Sequence, residues 1–277
     1  MRCSRIRFRS DGIPRQKAVG TSLVKAMCQM FEFSLTRGVS GIEDTQELPT
    51  KQMSDLGYKV QNLLIDDRMD GNARTRSEDA LRVSLRLGES AIVLGEVRGD
   101  EVSTLYQSMR TGKAGSSIMG TMHGDSAKSI YERVVHDMGI APEAFMATDF
   151  IAIMGTSKER GSMKEARRIT ELVSTGDKPG KFLDITGADI AKSPAVKRIA
   201  SSSGMKIDEV IDEIMIRADM RGFLAEISKS RGEEFAGPKW TVFANDYLAR
   251  QLEAGSRDRT EIVEGFKARF RSVAGLE

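Results

Sequence analysis

Ala91-Ile92-Val93-Leu94-Gly95-Glu96-Val97-Arg98-Gly99 is the stretch whose reading decides the fold. Its apolar residues run together without the alternation of a half-exposed strand. Such a run suits a strand covered on both faces, the usual condition of a parallel sheet. Gly95 closes the run, and Glu96 and Arg98 follow it at once. Ligands of open α/β sheets bind beyond the carboxyl ends of strands, so these two charges stand at a functional edge. The bland alternative is a solvated Glu–Arg pair of little energetic weight.

Outward from this strand the pattern alternates between the two periods. Before it, Ser77 with Glu78 and Asp79 in the first turn opens a helix, where carboxylates suit the positive end of the dipole. After it, Val102, Leu105, Tyr106 and Met109 recur at helical spacing. Ser117 to Met122 reads as a second strand. Ala127, Ile130, Val134 and Met138 then form a helical stripe that stops at Gly139, a suitable residue just past a helix end. Phe150 to Met154 and Ile169 to Val173 read as strands joined by a hairpin around the charged stretch from Lys158 to Arg168. The result is an α/β fold with a mostly parallel sheet. From Ser193 the texture turns helical, with Ile207, Val210, Ile211, Ile214, Met215 and Ala218 on one face. The boundary is placed near residue 190, with a core over 19–190 and a helical C-terminal appendage over 191–277.

Composition excludes several classes. The chain has 277 residues, 40% hydrophobic, enough for a substantial core. Forty-two basic against forty acidic residues leave a formal charge of +2, so charge gives no argument for direct nucleic-acid binding. Two cysteines, Cys3 and Cys28, make neither a disulfide framework nor a four-ligand zinc site. No apolar stretch approaches the ~20 residues of a transmembrane helix, so the expectation is a soluble, cytoplasmic protein. The basic start, Arg2, Arg5, Arg7, Arg9 and Arg15, reads as an exposed, poorly ordered tail.

Two further segments carry candidate chemistry. Ile42-Glu43-Asp44-Thr45-Gln46-Glu47-Leu48-Pro49 gathers carboxylates, which suits either a solvated loop or a catalytic one. Thr111-Gly112-Lys113-Ala114-Gly115-Ser116-Ser117 leads through a strand to Thr121-Met122-His123-Gly124. His123 therefore ends a strand beside Glu96, where an imidazole could hydrogen-bond a phosphate.

In this order and spacing the segments resemble the secretion-superfamily ATPases, which power type II and type IV secretion, pilus assembly and archaellum assembly. Ile42 to Leu48 resembles the aspartate box, Leu81 to Arg98 the arginine-bearing helix and Walker B strand, and Thr111 to His123 the histidine box. The wording Gly-Glu-Val-Arg-Gly and Met-His-Gly-Asp-Ser looks most like the archaeal branch. The resemblance implies a RecA-like P-loop NTPase core using ATP and Mg²⁺. It implies that Glu43 and Glu96 serve Mg²⁺ and the attacking water, and that His123 contacts phosphate. Arg98 joins the nucleotide site, and Arg82 and Arg86 become candidates to reach a neighbouring subunit's γ-phosphate. It further implies a homo-oligomer, a hexameric ring, working with a membrane-embedded secretion or pilus platform at the inner face of the membrane.

The family's pattern is broken in places. Gly88-Glu89-Ser90 replaces the usual acidic approach to the Walker B strand, and Lys113 stands where a first histidine is common. The P-loop departs most. At its expected place stands Lys17-Ala18-Val19-Gly20-Thr21-Ser22-Leu23-Val24, with glycine and hydroxyls but without the lysine of Gly-x-x-x-x-Gly-Lys-Ser/Thr. Gly20, Thr21 and Ser22 are the remaining phosphate-loop candidates, with Thr21 a metal ligand as well. Residues 1–18 are expected to be a disordered or non-native tail of a truncated or frame-disturbed chain. Two functions compete: an ATP-hydrolysing motor subunit, and a non-hydrolysing structural ring subunit without an intact P-loop.

Overall fold

The computed structural model describes residues 6–9, 38–44, 46–65, 73–87, 91–97, 99, 101–111, 117–158, 165–186 and 188–276. Beyond residue 38 they form two compact units that divide between Gly204 and Met205.

The first unit is built on an eight-stranded sheet. Its strands are β1 (Ile6–Arg9), β2 (Val39–Glu43), β3 (Val60–Leu64), β4 (Ala91–Leu94), β5 (Ser117–Met122), β6 (Phe150–Lys158), β7 (Glu165–Thr175) and β8 (Phe182–Asp184), in the spatial order β3-β2-β4-β5-β1-β6-β7-β8. Pairing is parallel from β3 across to β6 and antiparallel from β6 to β8. All four residues of β4 and all six of β5 are buried, which explains the unbroken apolar run at 91–94.

Ile6–Arg9 lie within the stretch expected to be a disordered or non-native tail. They form a strand between β5 and β6, parallel to both. Two inner edges of a sheet leave backbone N–H and C=O groups without partners, and a strand between them satisfies both rows. The alternation of Ile6 and Phe8 with Arg5, Arg7 and Arg9 is the period-two signal that net basicity concealed.

Crossover helices cover the face that carries Ile92 and Leu94. Helix α1 (Thr50–Asp55) links β2 to β3, and the helices on this face are α2 (Ala73–Arg86), α3 (Glu101–Thr111), α4 (Ala127–Glu132) and α5 (Pro142–Phe145). Helix α2 starts one turn before Ser77, because the preceding residues include good helix formers and a serine's preference for the cap is weak against them. Leu81 from α2, Val102, Leu105, Tyr106 and Met109 from α3, and Ile130 from α4 share one core with Ile42, Ile92, Leu94 and Ile118. The stripe after Ala127 ends in a π-helical turn, Arg133–Asp137, before Gly139 at φ +66°. The expected hairpin is present, with β6 starting at Phe150 as read and running on to Lys158, and β7 longer at both ends than its apolar core suggested.

Helix α6 (Pro194–Ser203) belongs to this unit although it follows the change in texture near residue 190. Ser193 caps it and bonds Ser174 of β7 through their hydroxyls at 2.9 Å. Arg198 pairs with Asp149 at the foot of β6.

The second unit, from Met205, contains α7 (Ile207–Arg231), α8 (Pro238–Glu253) and α9 (Arg259–Ala274). Its core is aromatic: Trp240 meets Phe270 at 4.7 Å between ring centres, and Phe223 meets Phe270 at 5.3 Å edge to face. Among the described residues no helix is long and apolar enough to cross a membrane.

Phe145 tests the packing of the first unit. It is fully buried and its ring contacts Tyr106, Tyr131 and Phe182, with centroids 6.1, 5.0 and 6.4 Å away. Phe145→Ala is expected to destabilise the α/β unit by about 3–5 kcal/mol. An unfolding free energy from urea titration that fell by less than a quarter of that amount would contradict this packing.

Candidate functional site

Parallel strands that share a register end at one edge, and here β2, β4 and β5 end together. Ile42 is level with Leu94, and Leu94 with Gly120. The residues at or just past those ends therefore share one rim: Glu43, the last of β2, Glu96 after β4 and His123 after β5.

Two hydrogen bonds fix where Glu96 stands. The Thr121 hydroxyl donates to the Gly95 carbonyl, and the Val97 amide donates to the Thr121 carbonyl at 2.8 Å. Glu96 lies between these anchors. Its Oε1 is 3.0 Å from Nε2 of His123, two residues past Thr121. Both side chains stay partly open to solvent, at 15% and 34% exposure, so the pair is reachable by a ligand. The short contact to Oε1 places the hydrogen of a neutral ring on Nε2.

The backbone of His123 is held as well. Arg133 donates from Nη1 to the His123 carbonyl at 3.1 Å. Ser126 and Ser129 form a reciprocal cap at the start of α4, and the Ala127 amide donates to Glu171 of β7 at 2.8 Å.

Glu43 joins the rim through a glycine. The Gly95 amide donates to the Ile42 carbonyl at 2.8 Å, so β4 continues along the end of β2. A Cβ on Gly95 would lie 3.4 Å from Glu43 Cγ and from the Ile42 carbonyl oxygen, a tight fit. The Glu43 carboxylate is buried and well supplied with donors. Oε1 accepts from the amides of Glu47 at 3.0 Å and Leu48 at 2.9 Å, and Oε2 accepts from the Asn62 side-chain amide at 3.0 Å. Burial pushes its pKa up from the ordinary 4.5, against the lowering pull of those three donors, and the nearby Glu47 charge pushes the same way as burial.

The arginines stand apart from this row. Arg82 is exposed on α2 and pairs with Glu78, one turn back, at 2.7 Å. The Glu78 carboxyl is held below its usual range, first by the Thr104 hydroxyl at 2.7 Å and then by Arg82. Arg86 is exposed near the end of the same helix, while Leu81 just before Arg82 is buried. Gly20, Thr21, Ser22 and Arg98, expected at the nucleotide, lie outside the described residues. Sequence reading missed Asn62, Thr121, Arg133 and Glu171. Only Asn62 carried a signal, as half of a Gln-Asn pair between Val60 and Leu63.

Residues 19–232 match the family described as "Type II/IV secretion system protein". The chain belongs to that family. Against "Uncharacterized protein MJ1287" of Methanocaldococcus jannaschii it is 27% identical over 171 residues, 57% of this chain and 61% of the relative, so it spans about three-fifths of that relative. Among solved structures, the ATPase DotB of Legionella pneumophila aligns with a TM-score of 0.50 and 15% identity, covering 95% of this chain and 60% of DotB. The VirB11 ATPase of the Brucella suis type IV secretion system aligns at 0.46 and 20%, covering 62% and 48%. The fold of this family member is thus that of the RecA-like secretion ATPases, an α/β unit with a helical C-terminal region.

Glu43 makes the stability of this family member depend on pH. Its folded pKa is raised, so its neutral form favours folding. That contribution is fully present below the unfolded value of about 4.5 and is lost as pH rises through the folded pKa. Glu43→Gln removes the charge that burial disfavours. Urea midpoints of the wild type should therefore fall relative to those of Glu43→Gln as pH rises from about 4 to 7. Equal slopes for the two proteins would refute the assignment.

Proposed function

We propose that this chain is an ATP-hydrolysing motor subunit of a type II/IV secretion or pilus-assembly system, acting at the cytoplasmic face of the membrane beside an embedded platform. The observation that carries the reading is the Glu96–His123 pair at 3.0 Å on the rim where parallel strands end. Membership of the secretion-system family supports it.

In this reading Glu96 orients a water and takes its proton as the oxygen attacks the γ-phosphorus of ATP and the bond to ADP breaks. His123 holds the Glu96 carboxylate by its Nε2 hydrogen and presents the rest of its ring to the phosphate side. Glu43, fixed by its three donors, keeps a second carboxylate on the same rim. Mg²⁺, when bound, supplies charge neutralisation on the phosphates. Among the described residues no group of three or more acidic, histidine or cysteine side chains could hold a metal. Two carboxylates fit an ion that takes its other ligands from phosphate and water. Glu43, Glu96 and the Thr21 hydroxyl are the residues that would hold it. Gly20, Thr21, Ser22 and Arg98 would touch the nucleotide.

Arg86 is the better candidate to act on a neighbour's nucleotide, because Arg82 is already committed to Glu78. A ring of six subunits would bring α2 of one chain to the rim of the next.

Phosphate release by the purified chain with Mg-ATP is the direct test, and no turnover under any condition would count for a non-hydrolysing subunit. Glu96→Gln should lower kcat by about 10²–10⁴-fold while ATP binding, read by calorimetry, stays within about threefold. In rings mixed from Arg86→Ala and Glu96→Gln subunits, each inactive alone, part of the activity should return. Mixed rings verified by mass and still inactive would remove Arg86 from the site.

A further inference from the structure

We infer that Asn62, on strand β3, is a positioning residue that fixes the Glu43 carboxylate on the reactive rim. The inference rests on the reading of Glu43 given above as part of an ATP site.

The geometry is a clamp with two jaws. The amides of Glu47 and Leu48 hold Oε1 from the loop that follows β2, at 3.0 and 2.9 Å. Asn62 holds Oε2 from the neighbouring strand at 3.0 Å. β2 and β3 pair in parallel with Gly41 level with Asn62 and Glu43 level with Leu64. Asn62 therefore reaches along the strands, from the level of Gly41 towards that of Glu43. Gly41 makes room for this reach: a Cβ there would sit 3.0 Å from both Asn62 Oδ1 and Leu48 Cδ1. The loop jaw alone leaves the carboxylate free to swing about its bonds to Oε1. The Asn62 donor fixes its plane.

The orientation of the Asn62 amide follows from charge. Its nitrogen must face Glu43, because the reverse would set a carbonyl oxygen against a carboxylate. The consequence is that Oδ1 is buried and has no hydrogen-bond partner among the described residues. A buried acceptor without a donor destabilises the fold. An apolar residue of similar size would remove that orphan but would also strip Glu43 Oε2 of its donor. Asparagine is explained by what its nitrogen does for Glu43. A purely structural asparagine would have both ends satisfied.

The test compares Asn62→Leu with wild type, Glu43→Gln and the double variant, all in the full chain. Asn62→Leu removes an orphaned acceptor and a donor to a buried carboxylate together, so its Tm should stay close to that of wild type. Backbone amides of Glu47 and Leu48 should exchange with solvent about tenfold faster or more, because the acceptor they share has loosened. In ATP turnover kcat should fall about tenfold or more, with KM within about twofold. In the Glu43→Gln background Asn62→Leu should have no further effect on kcat, since it acts through a carboxylate no longer present. Unchanged exchange at Glu47 and Leu48 would overturn the clamp. So would an activity loss that persists in the Glu43→Gln background. A wild-type chain without turnover would overturn the ATPase reading instead, and the exchange measurement would still decide on the clamp.

Discussion

The parallel pairing of β2, β4 and β5 in one register is the constraint on which the rest depends. A parallel strand must return by a crossover, so each strand end is followed by a free loop on one rim. Three loops with three different contents arrive at one place: Glu43, Glu96 and His123. Thr121 turns that arrival into geometry by clasping Gly95 and Val97 on either side of Glu96. Gly95 does the same for Glu43 by offering no side chain where its Cγ passes. The chemistry of the rim is a property of backbone registration first and of side chains second.

The helices serve that registration. Leu81, Tyr106 and Phe145 bury large surfaces on one face of the sheet, which keeps β4 and β5 from sliding past one another. The polar bonds at the rim are individually modest, on the order of 1 kcal/mol each. Their distances can be held only because the apolar layer beneath them is close-packed. His123 shows the link most directly. Its carbonyl is held by Arg133, whose helix starts at an amide bonded to Glu171 of β7.

Much of this was legible in the residues. Ala91 to Leu94 read correctly as a doubly covered strand, since an unbroken apolar run has few other uses at that length. Glu96 and His123 were placed on one edge because both follow strands directly. What stayed hidden was hidden for physical reasons. Ile6–Arg9 carry so much charge that a short alternation was outweighed, although pairing on both sides is a matter of backbone and not of charge. Strand β3 has a half-buried pattern with a polar pair at its centre, and only its partner β2 shows why an amide belongs there. The helix from Pro194 reads as part of a helical appendage by its period, yet its capping serine is tied to β7, a contact remote in sequence.

The two units each enclose their own core, one around Ile92, Tyr106 and Phe145, the other around Phe223, Trp240 and Phe270. Substitutions in one core therefore strain a set of neighbours that the other does not share, and effects of well-separated sites add rather than compound. A change of aromatic packing around Trp240, the one tryptophan of the chain, is therefore felt first among Phe223, Phe235 and Phe270, in a core that contains none of the strand ends at 43, 96 and 123.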